Sequence, residues 1–487
     1  MNKLNAIFTV VFLTIAVWNS YGQARYTMED VLRMAKEQSP FAKQAETRKE
    51  NRYWQYRFYK SNYNPQLRLT GGLPDYNQDY FQNRLDDGTI QFQQREQTTG
   101  SLNLGLQQPI SLTGGVLSIN NDLSRYNDYL FDIEQWSGTL VNIRLNQPIL
   151  NFNQLKWDKK TEPLRYEESK RGYVEEMENI SQQAVSRFFT VLDAQINLQI
   201  AQFNLANNDT IYKIEQGRYN IGTTTKDKLL QAELQLLRSR QEVTSARINL
   251  QNSKLDLRSY IGLKENDEFE LVLPEEIPTM TLNADEALLR AKDNRADYIA
   301  FERRKIEAKR EVAQARGQRF QIDLVASYGL NNSGNQFSEV YDEPLSQQRI
   351  NVGFNVPVLD WGRNRARMRT AMANQKLNDY VIAQDEVIFE QEIMTQVAQF
   401  EVLLSQIEIT KKSDEVAQER YLVSQNRYLI GKIDITNLNI ALTEKDTAKR
   451  SYVTALRSFW DSYFALRRLT LYDFSKGLLL YTPEQKK

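Results

Sequence analysis

The residues able to do chemistry in this sequence are carboxylates, amines, guanidiniums, hydroxyls and phenols, because it contains neither cysteine nor histidine. That removes thiol nucleophiles, imidazole bases and the usual zinc ligands in one step. Catalysis would then rest on a buried pair of carboxylates, and nothing in the sequence marks one. The acidic doublets Asp86–Asp87 and Glu175–Glu176 suit solvated loops and helix faces. The chain is therefore read as no enzyme, with no catalytic, cofactor-binding or metal-binding residues. Lys plus Arg and Asp plus Glu balance at 62 each. A net charge of zero offers no basic face to phosphates, so nucleic acid is not expected as a partner.

What does stand out is repetition. "QGRYNIGTTTKDKLLQAEL" from Gln216 is answered by "QNRYLIGKIDITNLNIALT" from Gln425. Tyr219 and Tyr428 lie 209 residues apart, and so do Gly222 and Gly431. The same offset of 209 separates Pro148 from Pro357, in "VNIRLNQPILNFNQLKWDKK" and "RINVGFNVPVLDWGRNRARMR". One offset held over so long a stretch marks a duplicated unit. A looser match joins "YTMEDVLRMAKEQSP" at Tyr26 to "TLNADEALLRAKDNRAD" at Thr281, at a larger offset. The first copy thus carries an insertion between its opening helix and Pro148. The organisation read from this is a signal peptide at 1–22, a first repeat at 23–261, a linker at 262–280, a second repeat at 281–470 and a tail at 471–487.

The elements that must position these turns follow from periodicity. Lys3, the apolar Ala6–Trp18, and small Ser20 and Gly22 before Gln23 read as a secretory signal. No later run is long and apolar enough for a transmembrane helix, and the mean hydropathy is −0.60. A membrane barrel remains open, since its strands are only half apolar. Phe320, Ile322, Leu324, Ala326, Tyr328 and Leu330 alternate with polar residues, as do Ile350, Val352, Phe354 and Val356. The first half offers similar strands at Leu67–Leu73, Ser101–Ile110, Val116–Leu123 and Thr139–Ile149. Each run is about ten residues, the length of a tilted membrane strand.

Helix formers fill Asp158–Tyr219 and Asp360–Tyr428, interrupted only by Pro163 near the start of the first. At 1.5 Å per residue each makes a helix on the order of 90 Å. Shorter helices are expected at Phe41–Tyr63, Lys226–Ile261 and Asp434–Leu469. The second has two apolar stripes, one through Leu229, Ala232, Leu236, Leu257 and Ile261, the other through Leu230, Leu234, Leu237, Ile248 and Leu255. Two stripes call for neighbours on both sides, as in the wall of a tube. Pro357 cannot donate to a ladder and ends its strand; Asp360 caps the helix that follows and Gly362 eases the turn.

In these strand–proline–turn–helix passages, the paired "RYNIG" and "RYLIG" turns and the duplication, the chain resembles the TolC family of outer-membrane efflux channels. The resemblance covers nearly the whole mature chain. It implies an α+β membrane protein: a homotrimer whose outer-membrane β-barrel continues into a long periplasmic α-helical barrel, with two tandem repeats per chain. It implies a passive conduit in a tripartite efflux pump or type I secretion system, in contact with outer-membrane lipid. A periplasmic adaptor (membrane fusion) protein would link it to an inner-membrane pump or ABC transporter. The alternative is a periplasmic coiled-coil scaffold or adaptor that does not span the outer membrane.

On the resemblance, the hairpin tips form the periplasmic aperture and dock the adaptor, which assigns Tyr219, Gly222, Lys226, Asp227, Lys228, Tyr428, Gly431, Asp434 and Asn437. Pro148, Pro357, Asp360 and Gly362 make the strand-to-helix junctions. Two departures follow. The acidic rings that the family often carries six and nine positions after the glycine are replaced by Lys228 and Gln231, and by Asn437 and Ile440. The family has two strands per half, whereas the first half here offers four; the extra pair either widens the barrel or stands outside it. Lys226 and Lys228 face Asp434 in charge across the repeats and could latch a closed mouth, with a simple helix N-cap as the other reading of Asp434.

Overall fold

The computed structural model describes residues 24–263, 268–274, 276–278, 280 and 282–481, so the expected signal peptide at 1–22 lies outside the described residues. The first repeat holds β1 (Ala24–Tyr26), α1 (Met28–Glu37), α2 (Pro40–Ser61), β2 (Gln66–Arg84), β3 (Ile90–Ile110), β4 (Gly115–Asp128), β5 (Ile133–Pro148), α3 (Gln154–Asn220) and α4 (Lys226–Ile261). After it come β6 (Phe269–Leu271), α5 (Ala284–Asn294), α6 (Ala296–Gly317), β7 (Gln321–Gly334), β8 (Leu345–Asn355), α7 (Arg363–Leu429), α8 (Ile435–Thr470), β9 (Tyr472–Asp473) and β10 (Leu478–Leu479).

The duplication is written in the helix lengths. α2 and α6 have 22 residues each, α3 and α7 have 67, and α4 and α8 have 36. Even the caps correspond: Thr27 closes a capping box on α1, and the Asn283 side chain caps α5. α3 runs unbroken through Pro163, which is the tenth residue of the helix and removes one backbone hydrogen bond without ending it. The 262–280 segment is more than a linker, since β6 pairs in parallel with β1. The 471–481 tail is likewise folded, as β9 and β10 pair antiparallel.

The chain divides into two compact units. One comprises Glu50–Ser169 and Ala296–Val387; the other comprises the described parts of Met1–Lys49, Lys170–Arg295 and Ile388–Lys487. In the first unit all six long strands form one antiparallel sheet in the order β2-β3-β4-β5-β7-β8. The four first-half strands therefore belong to the same sheet as the two from the second half. β2 and β3 run well past the expected segments, pairing from Gln66↔Gln107 to Arg84↔Ile90. Their outer halves carry Tyr76, Tyr80, Ile90 and Phe92 on one face, scattered among polar residues, and fall outside the expected segments.

Register sorts the sheet into two faces. Leu67↔Leu106, Leu69↔Leu104, Leu102↔Leu123, Ile119↔Ile143, Leu145↔Ala326, Leu324↔Val352 and Ile322↔Phe354 put one apolar belt across all six strands. The opposite face carries Arg68, Asn103, Asn120, Asn142, Ser327 and Asn351. An aromatic rim borders the belt: Trp136 meets Phe337 at 5.4 Å and Tyr76 meets Tyr129 at 6.3 Å. Beside the sheet, ion pairs link the helices, Arg303 to Glu168 at 2.6 Å and Arg304 to Asp385 at 2.8 Å.

In the second unit the core gathers Phe188, Phe189 and Leu192 of α3, Leu257 and Ile261 of α4, Phe269 of β6, Phe400 of α7 and Phe459 of α8. α3 meets α4 through Tyr260, whose hydroxyl donates to the Ile180 carbonyl, and α8 through Asn204, which donates to Asp446 at 2.7 Å. A buried ionic network ties the tail in. Arg467 donates to Glu178 at 2.9 Å and to Asp473 at 2.9 Å, Lys36 reaches Glu178 at 2.9 Å, and the Tyr463 hydroxyl donates to Asp473 at 2.9 Å.

Candidate functional site

The two hairpin turns have the same backbone chemistry. Gly222 has φ +74° and Gly431 φ +75°, the left-handed conformation that favours glycine. The Gly222 N–H donates to the Tyr219 carbonyl at 3.0 Å and Thr223 donates to Arg218 at 2.9 Å; Gly431 and Lys432 repeat this toward Tyr428 and Arg427. Such paired bonds satisfy the last carbonyls of α3 and α7 and turn the chain sharply. A Cβ at either glycine would meet nothing within 4 Å, so both turns lie open. Ile221, Ile430 and Tyr219 are exposed around them.

The charged residues picked out from the sequence are at these turns, on the surface. Lys226, Asp227 and Lys228 form the exposed first turn of α4. Asp434 is the N-cap of α8; its carboxylate accepts from the backbone and side-chain nitrogens of Asn437 at 2.9 Å each. Lys228, Asp434 and Asn437 line one polar groove between the hairpins. Among the described residues no ion pair joins Lys226 or Lys228 to Asp434 within the protomer.

The link between the two repeats is instead made by Tyr428, one of the expected tip residues, with Glu215 and Arg218, which the sequence did not single out. The Tyr428 hydroxyl donates to Glu215 at 2.7 Å, and Arg218 bonds the same carboxylate at 2.9 Å while its guanidinium lies 5.1 Å from the Tyr428 ring centre. Burial disfavours the Glu215 charge, yet hydrogen bonds from Tyr428, Thr224 and Arg218 outweigh it and hold the carboxyl below its ordinary pKa. Burial first and the Glu215 carboxylate second push the Tyr428 phenol well above its ordinary value. Around this bond Ile211, Ala232, Tyr421, Ile435 and Leu438 form a small apolar core. No sequence signal marks it: at the repeat offset Glu215 is matched by Ser424, but Lys213, Gly217 and Asn220 also differ from their counterparts Leu422, Asn426 and Leu429.

The strand-to-helix junctions are equally local in origin. β8 ends at Asn355, two residues before Pro357. The Asp360 carboxylate accepts from the backbone N–H of Gly362 and of Asn364 at 3.0 Å each. Those bonds lower its pKa, the one from Asn364 foremost. Trp361 at φ +51° and Gly362 at φ +84° turn the chain into α7. At the first-half counterpart, Pro148 is the last residue of β5 and pairs with Asp323.

Among the described residues no group of aspartate or glutamate side chains could hold a metal ion. No helix of the described residues is long and apolar enough to cross a membrane. One unit thus carries two shaped turns and the other an apolar-belted sheet. No curated protein matches the chain by sequence. Among solved structures it is similar to the CmeC outer membrane channel of Campylobacter jejuni, with 14% identity, 94% of this chain and 87% of that chain covered and a TM-score of 0.67. It is also similar to the outer membrane protein VceC of Vibrio cholerae, with 15% identity, 91% and 95% covered and a TM-score of 0.64. A membrane protein of Pseudomonas aeruginosa gives 15% identity, 93% and 92% covered and a TM-score of 0.65. These likenesses speak for the fold. The family model for outer membrane efflux proteins matches residues 121–263 and 287–470, more than half of the chain, and the chain belongs to that family.

Proposed function

We propose that this outer-membrane efflux channel works as a homotrimer, a passive conduit whose hairpin tips dock a periplasmic adaptor and through it an inner-membrane pump or ABC transporter. The observation that carries the trimer is a pair of apolar stripes left uncovered on the single chain. On α4, Leu230, Leu234, Leu237, Ile248 and Leu255 are exposed, while the stripe through Ala232, Leu236, Leu257 and Ile261 is buried. On α7, Val402, Ile409, Val416 and Val423 recur every seventh residue and are also exposed. A seven-residue apolar repeat is the seam of a coiled coil. Two different uncovered seams per chain suit a head-to-tail contact that closes into a ring.

The docking role of Tyr219, Gly222, Lys226, Asp227, Lys228, Gly431, Asp434 and Asn437 rests on the exposure of both turns and on family membership, whereas Tyr428 is buried and supports the tips from within. Two sets of variants separate the parts. Leu237→Glu with Ile409→Glu is expected to abolish heat-modifiable trimers in outer-membrane fractions. Gly222→Val with Gly431→Val is expected to leave trimers intact and impair efflux, because the left-handed penalty is local and roughly 1–2 kcal/mol per residue. Full efflux in the second variant would overturn the docking role. Trimers that survive the first would overturn the seams. A protein recovered from the periplasmic rather than the outer-membrane fraction would favour a scaffold.

A further inference from the structure

The sheet ends in two strands, β2 and β8, each paired on one side only. Six strands are too few to close on themselves, since about eight are needed before a barrel interior can be filled. Yet the apolar belt continues onto both end strands, through Leu67 and Leu69 of β2 and Ile350, Val352 and Phe354 of β8, all exposed. A belt at that position faces lipid, and lipid tolerates no unpaired row of backbone N–H and C=O groups. The free edges must therefore find a partner chain. Strand direction alternates across the sheet, so β8 of one copy meets β2 of the next in the antiparallel sense. β2 has 19 residues and β8 has 11, so the shorter can pair over its whole length.

We infer that β8 of each protomer pairs with β2 of its neighbour, and that three copies of the six-stranded sheet close an 18-stranded barrel. This rests on the trimer proposed above. The β2–β3 hairpin is then part of the membrane wall and forms the seam between protomers, rather than an appendage outside it. Barrel diameter grows about linearly with strand number, so this barrel is roughly one and a half times as wide as one with four strands per protomer. Its bore falls in the range of strand numbers that leave an aqueous channel.

The chain has no cysteine, which makes the seam directly testable by disulfide formation. Cysteines at Arg68 or Thr70 of β2 are combined with cysteines at Asn351 or Asn355 of β8, four pairs in all, every position on the polar face. The control places cysteines at Ser118 or Asn120 of β4 with the same β8 partners. On oxidation at least one β2–β8 pair is expected to convert most protomers into covalently linked dimers and trimers on a denaturing gel, while the β4–β8 pairs stay monomeric. Linkage of β8 to β4 would overturn the 18-stranded closure and leave the trimer standing. A wild-type protein that is monomeric in mild detergent would overturn the trimer instead. Where cysteine variants fail to assemble or to link, electron-microscopic projections of the wild-type trimer along its threefold axis count the strands. Six per protomer supports the closure and four overturns it.

Discussion

The hydroxyl of Tyr428 donates to Glu215 at 2.7 Å and so fastens the hairpin of one repeat to that of the other. Tyr219, the same position in the first repeat, is 41% exposed where Tyr428 is 1% exposed. Two copies of one motif have thus taken different work: one tyrosine holds the protomer together, and the other stays on the surface.

Tyr428→Phe removes that bond and little else. A hydrogen bond to a charged group contributes about 1.5–3 kcal/mol. The variant is expected to loosen the tips, raising single-channel conductance and sensitivity to bulky antibiotics, whereas Tyr219→Phe leaves both unchanged. Equal effects of the two substitutions would show that the asymmetry has no bearing on the mouth.

Acid should weaken the same joint. The folded Glu215 carboxyl lies below its ordinary pKa of about 4.3. Its stabilisation is complete above the ordinary value and is lost as pH falls through the lowered one. Asp473, opposed by burial but held down by Ser475, Tyr463 and Arg467, titrates in the same sense. Melting of detergent-solubilised trimers should be flat near neutrality and fall below about pH 4. Glu215→Gln should start lower and fall less steeply. A parallel acid limb in the variant would remove Glu215 from the account.

Arg467 is the shared cation of two buried carboxylates, Glu178 and Asp473. Arg467→Met leaves Lys36 as the near partner of Glu178 and none of equal reach for Asp473. Breaking a buried pair from one side costs about 3–5 kcal/mol. Thermal unfolding should shift down accordingly, with the tail becoming sensitive to protease first. A loss under about 1 kcal/mol would mean that water replaces the guanidinium without penalty.

Depth in the membrane can be read from the pairing rows. Ile350 pairs with Ala326, the middle of the apolar run of β7, while Phe354 pairs with Ile322 at its end. Ile350→Arg is expected to cost about 2–4 kcal/mol and Phe354→Arg less, as the penalty falls toward the interface. Cysteines at Asn351 and Asn355 should react with a water-soluble reagent faster than cysteines at Val352 and Phe354. Equal reactivity would mean that the faces have been assigned wrongly.

Much of this architecture was legible because it is periodic or repeated. The 36-residue α4 agrees with the apolar stripes at both ends, Lys226 and Ile261, since Gly262 stops it and two uninterrupted stripes leave no room for ambiguity. The long helices and the six strands were visible for the same reason. What stayed hidden depended on partners distant in sequence. Glu215 reads as one more solvated acid until Tyr428 is brought to it. Asp473 reads as part of a tail until Arg467 is. The outer halves of β2 and β3 carry apolar residues, Tyr76, Tyr80, Ile90 and Phe92 among them, too sparsely for alternation to mark a strand.

Those outer halves serve as a depth gauge for the surrounding bilayer. From Asp79↔Arg95 to Arg84↔Ile90 the two strands pair only with each other, while β4 joins β3 no farther out than Asp128↔Gln97. A ribbon of two strands bares hydrogen-bonding groups along both margins, and hydrocarbon cannot satisfy them. The outer leaflet must therefore stop at or below the Gln97–Asp128 row, whatever its lipid composition. Above that line roughly 20 Å of ribbon, ending in the Leu85–Thr89 turn, stands clear of the hydrocarbon.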